Sequence, residues 1–113
     1  MNVVVIGSGG REHAICESLI KSKKIKKLYC LPGNGGTESI AKNINIDLSN
    51  FREIKDFVKK NKISLVVVGP EKPLVEGITD YLEKYKIPTA NFAVKQNKKQ
   101  SLTYSWSKIS FNN

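Results

Sequence analysis

The sequence predicts an α/β domain built on a parallel sheet. Two apolar, β-branched runs, residues 3–6 (VVVI) and 65–68 (LVVV), lack the polar alternation of a half-exposed strand. Each run ends at a glycine, Gly7 or Gly69, and a helical stripe of apolar positions follows. The resulting order is strand, helix, strand, loop, strand, helix, strand, helix. In one sheet that order calls for right-handed crossovers, with helices on the faces as a third layer.

The elements are justified in turn. Residues 3–6 form the first strand, covered on both faces. Gly7-Ser8-Gly9-Gly10 then breaks the run. A helix follows from about residue 11 to 22, with Ala14, Ile15, Cys16 and Leu19 as its apolar stripe. Lys21, Lys23 and Lys24 close it with the charge that a helix C-terminus prefers. The second strand, 28–31, stops at Pro32-Gly33-Asn34-Gly35-Gly36, a stretch too rich in breakers for regular structure. Ile44 and Ile46 mark a short third strand. Ser49 or Asn50 caps a helix reaching about residue 61, in which Phe51, Ile54, Phe57 and Val58 share one face. Its lysines Lys55, Lys59, Lys60 and Lys62 face water. The fourth strand, 65–68, is broken by Gly69-Pro70-Glu71. Leu74, Val75, Ile78, Leu82 and Tyr85 then mark a last helix, with Pro73 in its first turn, where a missing N–H costs nothing.

Bulk composition bounds the function. A chain of 113 residues with 40% apolar residues is one domain with a real core. No run approaches the ~18 apolar residues that a membrane span needs. The first residues lack the charged start of a signal peptide. Cys16 and Cys30 have no CxxC spacing, so two free, buried thiols in a reducing cytoplasm are expected. The net charge of +9 is uneven: residues 84–113 hold six lysines and no acid. Such a tail attracts nucleic acid non-specifically, but its aromatic platforms amount to Tyr104 and Trp106. No specific nucleic-acid function is expected.

The chemistry is carried by the first loop. A strand, a glycine turn and a helix start make a place for an anion, because the first helical N–H groups have no partner in the helix. The second glycine loop, 32–36, lies at the same end of the sheet if the strands are parallel, and that is the end where open α/β sheets bind ligands. Glu71, just past a strand on that edge, is placed to accept hydrogen bonds from sugar hydroxyls. A dinucleotide is excluded on two counts: Glu12 stands where the fingerprint needs its third glycine, and no acid ends the second strand. The phosphate loop of nucleoside triphosphatases is excluded too, since no Lys-Ser or Lys-Thr follows the glycines. His13, the sole histidine, falls among core positions in the first helical turn, and a structural role is expected of it.

Three stretches, VVVIGSGGREHAI, LPGNGGT and LVVVGPEKPLVEGITDYL, resemble the N-terminal domain of the phosphoribosylamine–glycine ligase family, also called glycinamide ribonucleotide synthetases. They match in order and spacing over residues 2–86. The resemblance implies a Rossmann-like pre-ATP-grasp domain of a purine-biosynthetic ligase. The family uses ATP and magnesium or manganese to activate glycine as an acyl phosphate, which the amine of 5-phosphoribosylamine attacks. Carried over, the resemblance sets Gly9, Gly10, Arg11 and Glu12 around the sugar phosphate, Asn34, Gly35 and Gly36 in the facing loop, and Glu71 at the ribose hydroxyls.

The resemblance then departs from the family pattern. The family continues into a strand, an FGP-like turn and a helix, whereas here residues 84–87 run directly into IPTANF, which is similar to a stretch from further along. The expected organisation is a substrate-binding domain over 1–87, incomplete at its C-terminal end, and a remnant plus basic, poorly ordered tail over 88–113. No catalytic residue, metal ligand or bound cofactor is expected within the chain. Its expected ligand is a phosphoribosyl compound, and its expected partners are a second copy or a full-length ligase.

Overall fold

A computed structural model of the chain describes residues 1–70, 73 and 76–91. Five parallel strands form one sheet: β1 (Asn2–Gly7), β2 (Lys27–Pro32), β3 (Lys42–Asn43), β4 (Ile63–Val68) and β5 (Thr89–Asn91). They lie in the order β3-β2-β1-β4-β5, each hydrogen bonded in parallel to its neighbours. Among the described residues the helical elements include α1 (Gly10–Ile20), α2 (Phe51–Lys60) and α3 (Ile78–Glu83), and a 3-10 turn lies at Thr37–Ser39.

The period-two geometry of β1 explains why its apolar run is unbroken. Val3 and Val5 point to one face, where they meet Leu28, Cys30, Leu65 and Val67 and pack under Ile15, Cys16 and Leu19 of α1. Val4 and Ile6 point to the other, where Tyr29, Leu31, Val66 and Val68 pack under Ile54 and Val58 of α2 and Ile78 and Leu82 of α3. All four β1 residues are 0% exposed, so neither face of the central strand tolerates a polar side chain. Each such burial is worth about 1.5–3 kcal/mol. The fold is therefore the three-layer α/β arrangement that the sequence predicts.

Several details differ from the sequence reading. The third strand lies at Lys42–Asn43, not around Ile44 and Ile46. Ile44 still donates its N–H to Cys30 O at 2.9 Å, while Ile46 turns into the core. Ala14 is exposed, because Ile15 and Leu19 already fill the face of α1 that meets the sheet. Asn50 is the cap of α2, accepting the Glu53 N–H at 3.0 Å. Lys55 is not wholly in water: its ammonium pairs with Asp56 at 3.1 Å and lies 4.6 Å from the centre of the Tyr85 ring. Tyr85 follows the end of α3 and is exposed.

The sheet continues past residue 87, where the sequence reading ends the domain. Thr89–Asn91 pairs with Val66, Val67 and Val68, and Ala90 is buried among the side chains under α1. A small residue with open neighbours suffices to extend an edge. Glu71, Leu74, Val75 and the tail from 92 to 113 lie outside the described residues. No helix among the described residues is long and apolar enough to cross a membrane.

The strand order sets where a ligand could enter. From β1 the chain moves outward through β2 to β3, then returns to the other side of β1 as β4. The C-terminal ends of β1 and β4 therefore flank a topological switch point. The connections leaving these two strands diverge there and open a crevice.

Candidate functional site: two glycine loops at the switch point

The first loop leaves β1 at Gly7, whose φ of +137° is a conformation that L side chains rarely adopt. Gly9 then caps α1, and the Glu12 carboxylate reaches back to accept the Gly9 N–H at 2.8 Å. Glu12 is 5% exposed. It fills the space between Gly7, Gly9 and Gly69: a Cβ at Gly69 would come 1.8 Å from Glu12 Oε2, and one at Gly7 would come 2.4 Å from its Cγ. The glycine at the end of β4 is thus needed for the carboxylate that shapes the loop after β1. Glu12 holds the loop from beneath, and a buried acid would repel a phosphate placed against it. Arg11 is exposed, and its Nη1 donates to Gly69 O at 2.9 Å, tying the two strand ends together from the outside.

The second loop closes over the first. The Leu31–Pro32 peptide is cis, and Gly33 follows with φ +80°. Asn34 is the bridge: its Nδ2 donates to Ser8 O at 2.7 Å and to Gly9 O at 3.3 Å. Its Oδ1 accepts the Thr37 N–H at 2.9 Å. Gly36 rests against the His13 ring, where a Cβ would meet Cε1 at 2.9 Å. His13 thus stands between the two loops, and its Nε2 lies 3.7 Å from the Glu17 carboxylate. Among the described residues, Gly10 and Gly35 have open space where a Cβ would be.

A cavity of about 450 Å³ lies at the switch point. Gly7, Ser8, Gly9 and Glu12 line it from the first loop, Asp47, Leu48 and Ser49 from the connection into α2, and Pro70, Pro73 and Glu76 from the segment after β4. Asp47 and Glu76 went unremarked in the sequence and Ser49 was noted only as a candidate helix cap, because acids and serines in polar connections carry no periodic signal. The three carboxylates and two hydroxyls favour a ligand rich in hydrogen-bond donors, such as a sugar or an amine. Among the described residues no group of three or more His, Cys, Asp or Glu is arranged to hold a metal ion. Of the residues singled out in the sequence, Gly9 and Glu12 line the cavity, Asn34 joins the second loop to Gly9, and Arg11 turns to Gly69; Gly10, Gly35 and Gly36 belong to the two loops but do not line the cavity, and Glu71 lies outside the described residues.

Two thiols sit behind the loops. Cys16 and Cys30 are free and buried, and they hydrogen bond each other. Cys30 Sγ also lies 3.6 Å from Gly7 O. The bond from Cys16 holds the Cys30 thiol below the ordinary range, and the same contact together with burial pushes Cys16 up.

Comparison with known proteins now adds to this geometry. Residues 1–98 match the family model described as phosphoribosylglycinamide synthetase, N domain. The chain belongs to this family. It is 37% identical over 132 residues to phosphoribosylamine–glycine ligase of Clostridium acetobutylicum, covering 92% of this chain and 32% of that one. It is 48% identical over 84 residues to the ligase of Caldanaerobacter subterraneus, covering 74% of this chain and 20% of that one. It is 50% identical over 92 residues to the trifunctional purine biosynthetic protein adenosine-3 of Drosophila pseudoobscura, covering 77% of this chain and 7% of that one. The chain thus spans a third or less of the length of these relatives. One comparison carries a further number. In the Clostridium match, 92% of this chain is about 104 residues, laid over 132 positions, so about 28 positions face no residue of this chain. The Caldanaerobacter match, 84 positions over 74% of the chain, has no such excess. The match to the phosphoribosylamine–glycine ligase of Synechocystis, 44% identical over 110 positions and covering 96% of this chain and 26% of that one, has none either.

Proposed function

We propose that this chain is a sugar-phosphate-binding domain of the phosphoribosylamine–glycine ligase type, whose ligand is 5-phosphoribosylamine. The observation that carries the reading is the meeting of two glycine loops over the start of α1 at the switch point. Gly10 presents its N–H to a phosphate lying along the Gly9–Gly10 turn, Arg11 adds a fixed positive charge with five donors, and Asn34, Gly35 and Gly36 form the opposite wall. Glu12 supports the first loop rather than touching the phosphate. The acid-lined cavity beside it suits the ribose hydroxyls and the amine, with Asp47 and Ser49 as acceptors and Glu71 as a further one. In the complete reaction ATP and glycine give an acyl phosphate, the amine attacks its carbonyl carbon, phosphate leaves, and glycinamide ribonucleotide and ADP result. The ATP, metal and glycine sites belong to segments of the relatives outside the match, so this chain binds and orients one substrate. The compartment that fits such an enzyme is the cytoplasm.

The test is calorimetric. Ribose 5-phosphate, a stable stand-in for the amine, is titrated into the chain and into its Arg11→Ala, Glu71→Ala double variant. Saturable binding that the double variant loses is expected. A folded chain, judged by circular dichroism, that binds no sugar phosphate would refute the reading.

We also infer that an internal segment of the family is missing between the helix ending near residue 83 and the IPTANF stretch. The direct run from the helix through residues 84–87 into Pro88 supports this. Sequencing the source DNA and transcript across codons 84–113 tests it. Coding sequence for the absent segment nearby is expected, and a genome with no such segment would contradict it.

A further inference from the structure

The strongest unassigned feature is a chain of polar side chains that runs from the edge of the sheet to the first loop. Thr37 is 0% exposed, yet its hydroxyl is fully used. It accepts the Asn34 N–H at 2.8 Å, and its own proton has Asn43 Oδ1 at 2.7 Å and Asn34 O at 3.0 Å as acceptors. Asn43, on edge strand β3, returns a bond from its Nδ2 to Asn34 O at 2.8 Å. Asn34 Oδ1 takes the Thr37 N–H, so its amide can turn only its Nδ2 toward Ser8 O and Gly9 O. Gly33 leaves room for this arrangement, since a Cβ there would come 2.1 Å from Asn43 Oδ1. The three side chains thus hold one another and, through Asn34, the first loop.

The consequence for the first loop follows from peptide planarity. A trans peptide points its C=O and N–H in opposite directions. Gripping Ser8 O therefore aims the Gly9 N–H away from Asn34, and that N–H is indeed the one held by Glu12 at 2.8 Å. Gripping Gly9 O aims the Gly10 N–H away in the same manner. Gly10 opens α1, and its N–H is among the first donors without a partner in the helix. We propose that Thr37 and Asn43 are positioning residues for anion binding: through Asn34 they fix the peptide planes of the first loop, which seat the Gly9 N–H on Glu12 and leave the Gly10 N–H to a phosphate. This rests on the sugar-phosphate reading above for its ligand, but the ordering of the loop holds without any ligand.

The experiment has two readings on three chains: wild type, Thr37→Val, which keeps the shape and removes the hydroxyl, and Thr37→Ser, which restores it. Amide hydrogen exchange of Gly9 is measured by NMR without ligand, and ribose 5-phosphate affinity is measured by calorimetry. Thr37→Val is expected to speed Gly9 exchange at least tenfold and to weaken binding at least tenfold, with Thr37→Ser within threefold of wild type in both. Wild-type exchange in a folded Thr37→Val chain would overturn the proposal, whatever the affinity. If wild type binds no sugar phosphate, the ligand reading fails, and the exchange result alone decides whether the relay orders the loop. Should Thr37→Val not fold by circular dichroism, Asn43→Ala, at a half-buried position, supplies the same two readings.

Discussion

Gly69→Ala offers a test of how tightly the two strand ends are coupled. No positive φ is involved at Gly69, so the effect of an added methyl group is steric alone. The new Cβ would lie 1.8 Å from Glu12 Oε2 and 2.7 Å from its Cδ, well inside any tolerable contact. The carboxylate must move, and it cannot do so while keeping its 2.8 Å bond to the Gly9 N–H. Losing a hydrogen bond to a charged group costs about 1.5–3 kcal/mol, and overpacking of this kind costs about 1–3 kcal/mol. The two describe one displacement and are not summed, so a loss of about 2–3 kcal/mol is expected. Near 4 °C per kcal/mol for a domain of this size, the midpoint should fall by about 10 °C. The decisive arm is a double-mutant cycle read by urea unfolding. In a Glu12→Ala background the methyl group enters vacated space, so Gly69→Ala should cost under about 0.5 kcal/mol, leaving a coupling of about 2 kcal/mol. Costs that add across the two sites would refute the claim that Gly69 exists to house Glu12.

Three further outcomes follow from the same coordinates. Asn50→Ala removes the acceptor of the Glu53 N–H at the start of α2 and should cost about 1 kcal/mol in urea unfolding, with Asn50→Asp close to wild type. Cys16 and Cys30, both buried, should stay unreactive toward a thiol reagent such as dithionitrobenzoate in the native chain and react together on unfolding in urea; rapid native labelling of either would contradict their placement. The purified chain supplied with ATP, magnesium, glycine and 5-phosphoribosylamine should release no glycine-dependent ADP, and measurable turnover would show that the binding domain carries more of the ligase chemistry than proposed here.

The fold was legible where burial leaves a periodic trace. Residues 3–6 and 65–68 read as strands because both faces of β1 and β4 are covered, and the stripe of α2 read as a helix because Ile54 and Val58 are buried against the sheet with Phe51 and Phe57 packed beside them. Strand β3 was missed since a two-residue edge strand of Lys42 and Asn43 has no pattern to show. Strand β5 was missed because its assignment depends on β4 being free to accept it. At the site, the glycines located the loops but not the work done by their neighbours. Glu12 reads as the residue that spoils a dinucleotide fingerprint, whereas it is a buried cap for the loop. The signal was present, since an acid three residues after a cap position is the spacing of a capping box. Asn34 and Thr37 likewise stand three apart, the spacing of a side-chain-closed turn. The grip of Asn34 on Ser8 and Gly9, some 25 residues back, is tertiary and leaves no local mark.

The most direct test of the central claim is an NMR titration of the isotopically labelled chain with ribose 5-phosphate, followed at every backbone amide. A sugar-phosphate site at the switch point predicts saturable shifts confined to residues 8–11, 34–36 and the Asp47–Ser49 wall of the cavity. The same groups should stay silent when ribose alone is added at equal concentration, because the phosphate supplies the hold on the first loop. Shifts centred on Lys26, Lys27 and Lys42, in the separate groove beside β3, would instead mean that the ligand meets only surface charge, and the account of the two glycine loops as a binding site would be wrong.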